Sequence, residues 1–229
     1  MMSKELSKRI LTSIFLLILL GLAFVYSYIL IISLMLISII SWIEFNGLLT
    51  KIFIKKKPKK NFLNFLFKSL SLLYLVFFSI IIFEEMSKTS IKIETVYIFC
   101  ICICSDIGGL IFGKIFKGKK LTKISPNKTI SGSIGSFILS LLLVPIFYFI
   151  ISTLQPFSFS FFDLVGLSLI VSFTCQLGDL FISYLKRKAK VKDTGDLLPG
   201  HGGFLDRLDG ILFALPVGMM LYKFLVAVV

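Results

Sequence analysis

Four carboxylates and four cationic side chains of this 229-residue chain are spaced so that they could manage phosphate chemistry. Asp206 and Asp209 are three residues apart, which puts them on one face of a helix. Asp179 precedes the basic run Lys186-Arg187-Lys188 by about two turns. Asp179, Ser183, Lys186 and Arg187 would then share roughly one face. Asp106 lies within an apolar run, a costly place for an acid unless it is paired, hydrated or bound to a cation. Carboxylates crowded together repel one another unless cations hold them. Oxygen-only donors favour magnesium over zinc, and one histidine with no suitable cysteine set argues against a zinc hydrolase. Lys128, Lys186, Arg187 and Arg207 could neutralise phosphate oxygens. A hard cation, fixed positive charges and a glycine-rich turn together suit phosphoryl or nucleotidyl transfer.

Most of these groups fall in Ser183 to Asp209, the longest polar stretch of the chain. It joins the basic run to a glycine turn at Gly200, Gly202 and Gly203 and holds the only histidine, His201. His201 reads as an acid, a base or a hydrogen-bonding part of the turn. Upstream, Ser125-Pro126-Asn127-Lys128-Thr129 breaks regular structure at the proline and offers donors suited to phosphate, although a plain loop is an equal reading. Asp209 reads equally well as a helix cap or ion-pair partner. No GxxxxGK[ST], HExxH or GxSxG pattern occurs, which weighs against an ATPase pump, a zinc protease and a serine esterase. A transporter could use an intramembrane acid but would not explain the dense polar run from Lys192 to Asp209.

The elements that must position these groups are read from hydropathy. Hydrophobic residues make up 57% of the chain and charged residues 16%, with 25 phenylalanines. A soluble domain of this size could not hide that much apolar surface, whereas a bilayer could accept it. At about 20 residues per span, the expected fold is an all-α polytopic integral membrane protein of about seven helices. The spans fall near 10–25, 29–49, 62–83, 93–112, 132–153, 161–183 and 208–228, with a tight turn near Tyr26 to Tyr28. Residues 1–90 form an N-terminal region of three spans, and 91–229 a catalytic region of four. Glu44, beside Trp42, is placed at a membrane interface, and Lys68 is expected to snorkel to the headgroups. The four segments taken as internal carry three, six, six and six lysines plus arginines, against two and none in the loops 84–94 and 154–160. This pattern predicts a cytoplasmic N-terminus and a cytoplasmic polar cluster. A formal charge of +13 would also fit nucleic acid, but the apolar runs argue for a membrane and no nucleic-acid partner. Cys100, Cys102, Cys104 and Cys175 lie in apolar runs and read as buried thiols.

The polar blocks resemble the signature of the phosphatidate cytidylyltransferase (CDP-diacylglycerol synthase) family. The residues concerned are Ser183-x-Leu185-Lys186-Arg187, Lys192-Asp193-x-Gly195 and Leu198-Pro199-Gly200-His201-Gly202-Gly203-Phe204-x-Asp206-Arg207-x-Asp209. Ser105-Asp106-x-Gly108-Gly109 and Ile124-Ser125-Pro126-x-Lys128-Thr129 agree in order and position. The chain departs from the usual pattern at Ile182 and Ser131, where many members carry Glu, and at Leu110, where many carry Tyr. The resemblance implies a homodimer in the bacterial inner membrane that converts CTP and phosphatidate to CDP-diacylglycerol and pyrophosphate with magnesium, its active site on the cytoplasmic face. It implies that Asp179 and Asp206 bind the cation, with Asp209 in support and Asp106 as a further candidate. Potassium is implied as a second cation. Lys186, Arg187 and Arg207 would hold phosphates, while Ser125, Lys128, Thr129, Ser183, His201, Gly202 and Gly203 would contact nucleotide or lipid phosphate. The pattern makes His201 part of the loop's architecture rather than a base. Another lipid-phosphate nucleotidyltransferase, a lipid kinase, a transporter and a structural membrane protein are the alternatives.

Overall fold

The computed structural model describes residues 4–53, 59–87, 93–154, 160–197 and 202–228. These form eight α-helices: α1 (Lys4–Val25), α2 (Ser27–Phe53), α3 (Lys59–Ser87), α4 (Ile93–Phe116), α5 (Ile130–Leu141), α6 (Val144–Leu154), α7 (Phe161–Ala189) and α8 (Leu205–Val228). Among the described residues, six helical segments are long and apolar enough to cross a membrane: Ser27–Phe53, Asn61–Ser87, Ile93–Phe116, Ile130–Thr153, Phe161–Ala189 and Leu205–Ala227. A shorter apolar segment, Ile14–Val25, lies within α1. Large apolar side chains remain on the outside of these helices, Phe65 being 69% and Phe149 73% exposed. Apolar helices with apolar outer faces are those of a polytopic membrane protein.

The break between the first two helices falls at Tyr26 alone. The expected fifth span is divided. α5 ends at Leu141 and α6 begins at Val144, next to Pro145. Proline has no N–H for the carbonyl four residues earlier, and its ring crowds that carbonyl, so the helix restarts there. α4, α7 and α8 all extend beyond the apolar runs that predicted them, because their last or first turns carry polar residues.

The chain divides into two compact units, Met1–Lys88 with Leu185–Leu208, and Thr89–Tyr184 with Asp209–Val229. In the first, α2 packs along α3. Ser38 Oγ and Ser79 Oγ lie 2.8 Å apart, and Trp42 Nε1 donates to the Lys68 carbonyl at 3.3 Å. Lys68 Nζ donates to Thr50 Oγ1 at 3.3 Å, so its ammonium has a partner within the protein.

In the second unit, α4 packs along α5. Their backbones approach so closely that a Cβ on Gly108 would collide with the Gly135 carbonyl, and one on Gly135 with the Phe112 ring and, at 2.8 Å, the Gly108 oxygen. This is the small-residue packing that lets helices meet without a hydrophobic driving force. Ser136 Oγ donates to the Ser105 carbonyl at 2.6 Å across the same seam. α7 supplies the centre of the unit through Leu164, Leu167, Val171 and Cys175, all at most 1% exposed. Tyr97 and Ser168 hydroxyls meet at 2.5 Å, and Ser105 and Ser172 at 3.0 Å. Each hydroxyl thus finds a partner where no water would reach it.

Candidate active site

The candidate residues form two clusters, one in each unit. In the first unit the chain leaves α7 through Lys190, whose φ of +58° ends the helix with Val191 N bonded to the Lys186 carbonyl at 3.0 Å. The polar segment then runs back to the start of α8. Lys186 Nζ donates to Asp206 Oδ1 at 2.5 Å, the two side chains being 16% and 10% exposed. The other oxygen, Oδ2, accepts from Thr194 N at 2.8 Å and lies 3.0 Å from Thr194 Oγ1. Both oxygens of this carboxylate are therefore oriented. Gly203 makes the packing possible, since an added Cβ would clash with Thr194 Oγ1 and stand 2.6 Å from Gly195 N and 2.9 Å from Asp206 Oδ2. Gly202 has a φ of +83°, a conformation that favours glycine. Arg187 and Arg207 are exposed. His201 lies outside the described residues, as do Leu198, Pro199 and Gly200.

Two residues of this cluster, Thr194 and Glu44, are not among those the sequence motifs single out for the site. Glu44 of α2 is buried inside the unit, 8% exposed. It accepts from Thr194 Oγ1 at 2.7 Å, Phe204 N at 2.9 Å and Leu205 N at 2.8 Å. Leu205 opens α8, so Glu44 takes amide hydrogens that have no partner within the helix and sets its charge against the positive end of the dipole. A signal in the sequence was an acid inside an otherwise apolar span.

In the second unit Lys128 Nζ forms an ion pair with Asp179, their side chains 25% and 32% exposed. Ser183 Oγ donates to Asp179 Oδ1 at 3.4 Å, one turn along α7. The loop before α5 aims Lys128. Leu121 N bonds the Lys128 carbonyl at 2.8 Å, Ile130 N bonds the Lys119 carbonyl at 2.9 Å, and Lys128 N bonds the Ser125 carbonyl at 3.1 Å. Thr129 is the N-cap of α5, its Oγ1 accepting from Gly132 N at 3.0 Å. That cap occupies part of the hydroxyl's bonding capacity. Cys175 Sγ donates to Oδ1 of Asp106, on α4, at 3.8 Å. Asp209 Oδ1 accepts from Gly210 N at 2.9 Å. Ile182 is buried, and Leu110 is exposed on α4.

Among the described residues no group of three or more His, Cys, Asp or Glu side chains could hold a metal ion. That does not conflict with magnesium, which commonly takes one or two carboxylates and completes its shell with water and substrate phosphates. Asp179 and Asp206 offer the hard oxygens it needs, and each already attracts a cation, the ammonium of Lys128 or Lys186. Two ammonium–carboxylate pairs with hydroxyl support are groups suited to orienting anionic, phosphate-bearing substrates.

Residues 1–225 match the model of the cytidylyltransferase family. A phosphatidate cytidylyltransferase of Staphylococcus aureus is 45% identical over 123 residues, 53% of this chain and 45% of that protein. One from Rickettsia felis is 42% identical over 143 residues, 61% of this chain and 62% of that protein. One from Rickettsia prowazekii is 40% identical over 147 residues, with the same coverage of 61% and 62%. The alignments thus span about half to three fifths of these relatives. With nearly its whole length matched by the family model, the chain belongs to the cytidylyltransferase family.

Proposed function

We propose that the protein transfers the cytidylyl group of CTP to phosphatidate, giving CDP-diacylglycerol and pyrophosphate. The observation that carries this reading is the Lys186–Asp206 pair, held by Thr194 inside the longest stretch that resembles the phosphatidate cytidylyltransferase signature. A phosphate oxygen of the lipid attacks the α-phosphorus of CTP. The bond from that phosphorus to the oxygen bridging to the β-phosphate breaks, and pyrophosphate leaves. The second pKa of a phosphate monoester is about 6, so the nucleophile is already an anion near neutral pH and needs no strong general base. The main task is to bring two anions together, and Lys128, Lys186, Arg187 and Arg207 supply positive charge for it. Ser125, Thr129, Ser183, Gly202, Gly203 and His201 belong to the same substrate-binding set. Asp179 and Asp206 would hold magnesium, with Asp209 and Asp106 in support and potassium as a further cation. Bound there, the metal would neutralise charge on the phosphates. The distribution of basic segments favours a cytoplasmic N-terminus, with this chemistry on the cytoplasmic side of a bacterial inner membrane. The acyl chains of the substrate stay in lipid, and the working unit is a homodimer.

The test is purified protein with radiolabelled CTP, phosphatidate and magnesium. Label must enter the lipid phase as CDP-diacylglycerol with release of pyrophosphate. A lipid product carrying only a transferred phosphate, formed from ATP, would replace this reading with a lipid kinase; no lipid product with either nucleotide would reject both.

A further inference from the structure

We propose that Glu44 is a positioning residue for the transfer site. It anchors the first turn of α8 and, through Thr194, sets the orientation and hydrogen bonding of Asp206. The proposal rests on the reading of Asp206 as a working carboxylate. A helix is ordinarily capped from its own sequence by Ser, Thr, Asp or Asn. The residues leading into α8 are Gly202, Gly203 and Phe204, none with a side-chain acceptor. The acceptor comes instead from a helix 160 positions earlier, as Glu44 takes the amide hydrogens of Phe204 and Leu205 on separate oxygens at 2.9 and 2.8 Å. The next residue is Asp206. A carboxylate 8% exposed in an apolar helix is a costly placement, tolerable because three donors converge on it.

Thr194 joins the two acids. Its N–H is committed to Asp206 Oδ2, while its single hydroxyl hydrogen has Glu44 Oε2 at 2.7 Å and Asp206 Oδ2 at 3.0 Å as competing acceptors. One hydroxyl donates one hydrogen. The shorter contact favours Glu44, so Asp206 Oδ2 keeps acceptor capacity for a substrate proton or a cation. Losing the Glu44 charge would let the hydroxyl turn to Asp206 and would loosen the turn that carries it. The surroundings leave little room for compensation. A Cβ on Gly195 would stand 2.7 Å from Glu44 Oε1, and one on Gly203 2.9 Å from Asp206 Oδ2.

The experiment compares full-length wild type, Glu44→Gln, Thr194→Val and Thr194→Ser in detergent by amide hydrogen exchange and by CTP-dependent lipid labelling. In Glu44→Gln an amide NH2 must face at least one of the three donors. Exchange in residues 202–208 should rise about tenfold or more, the loss expected for a charge-assisted bond, with exchange in α3 and α4 unchanged. The kcat should fall about 100-fold, as for a misplaced catalytic group, with KM for CTP within about twofold. Thr194→Val should fold normally and lower kcat in the same direction, Thr194→Ser should restore it, and the Glu44→Gln/Thr194→Val double variant should be no worse than Glu44→Gln alone. Unchanged exchange at 202–208, full kcat in Thr194→Val, or multiplicative losses in the double variant would each overturn the proposal. A wild type that binds no label into lipid would instead reject the cytidylyl reading, and the exchange arm would still decide whether Glu44 anchors α8.

Discussion

Replacing Lys186 by Met removes a charge and keeps a flexible chain of similar length. The ammonium lies 2.5 Å from Asp206 Oδ1, with the two side chains 16% and 10% exposed. At an effective dielectric constant of about 20, Coulomb's law gives a gross attraction of about 7 kcal/mol at that distance. Desolvation of both ions offsets most of it, and removing one partner of a fully buried pair costs about 3–5 kcal/mol. Partial exposure and the remaining donors from Thr194 reduce this to about 2–3 kcal/mol for Lys186→Met. For a chain of this size that corresponds to about 4–12 °C in the unfolding midpoint, measured in one detergent. Asp206→Asn should destabilise similarly, because it leaves the ammonium with a neutral partner. The double variant should recover most of the stability, since no uncompensated ion remains, yet should have no more activity than either single one. Both single variants should lose about 100-fold or more in kcat, the range for removing a charge that stabilises a transition state. The paired assays are thermal unfolding and lipid labelling on the four proteins. Additive stability losses would show that the two side chains act independently. Wild-type turnover in Asp206→Asn would remove Asp206 from the reaction.

The second cluster should behave differently under the matching change. Lys128 and Asp179 are 25% and 32% exposed, so Lys128→Met should alter stability by only about 0–1 kcal/mol while strongly lowering turnover. A large drop in unfolding midpoint with normal activity would make the pair structural. Gly203→Ala should cost about 1–3 kcal/mol from overpacking against Thr194, Gly195 and Asp206, with a larger effect on kcat than on KM for CTP. Unaltered kinetics would show that this turn does not set the Asp206 geometry. Gly135→Val should cost about 3 kcal/mol or more, because its side chain would enter the Phe112 ring and the Gly108 carbonyl, and the measure is the yield and unfolding midpoint of folded protein in detergent. Thr129→Ala should lose about 1 kcal/mol through the α5 cap, and a stability equal to wild type would deny Thr129 that role.

What could be read from sequence follows the range of the interactions. Apolar runs report on their own solvent, so the helices and their lipid-facing character were legible from hydropathy, as was the break near Tyr26. The family was legible because its blocks are long and contiguous, and the match over 1–225 bears that out. The division of the fifth span at Pro145 was legible in principle, but two short apolar helices in succession have the same mean hydropathy as one long helix. Likewise Lys68 lies near the start of the apolar run of α3, where a headgroup partner is the usual expectation. Only the packing of α2 reveals that Thr50 takes its ammonium.

Glu44 shows the limit more sharply. Its role is created by three donors 150 to 161 positions away, and two of them are backbone amides that carry no residue-specific mark. The absence of a capping side chain before Leu205 was visible in the sequence, as was an acid in an apolar helix. Each is an unsatisfied requirement: one helix start lacks an acceptor, and one buried carboxylate lacks donors. Composition cannot pair them, because any acid in α2 to α4 would satisfy the same arithmetic. Packing selects Glu44 and brings Thr194 between it and Asp206. In a membrane protein, where unpaired buried polar groups are especially costly, listing such complementary deficits is a physical route from sequence to long-range contacts. The geometry of a site is then set partly by residues that no local motif contains.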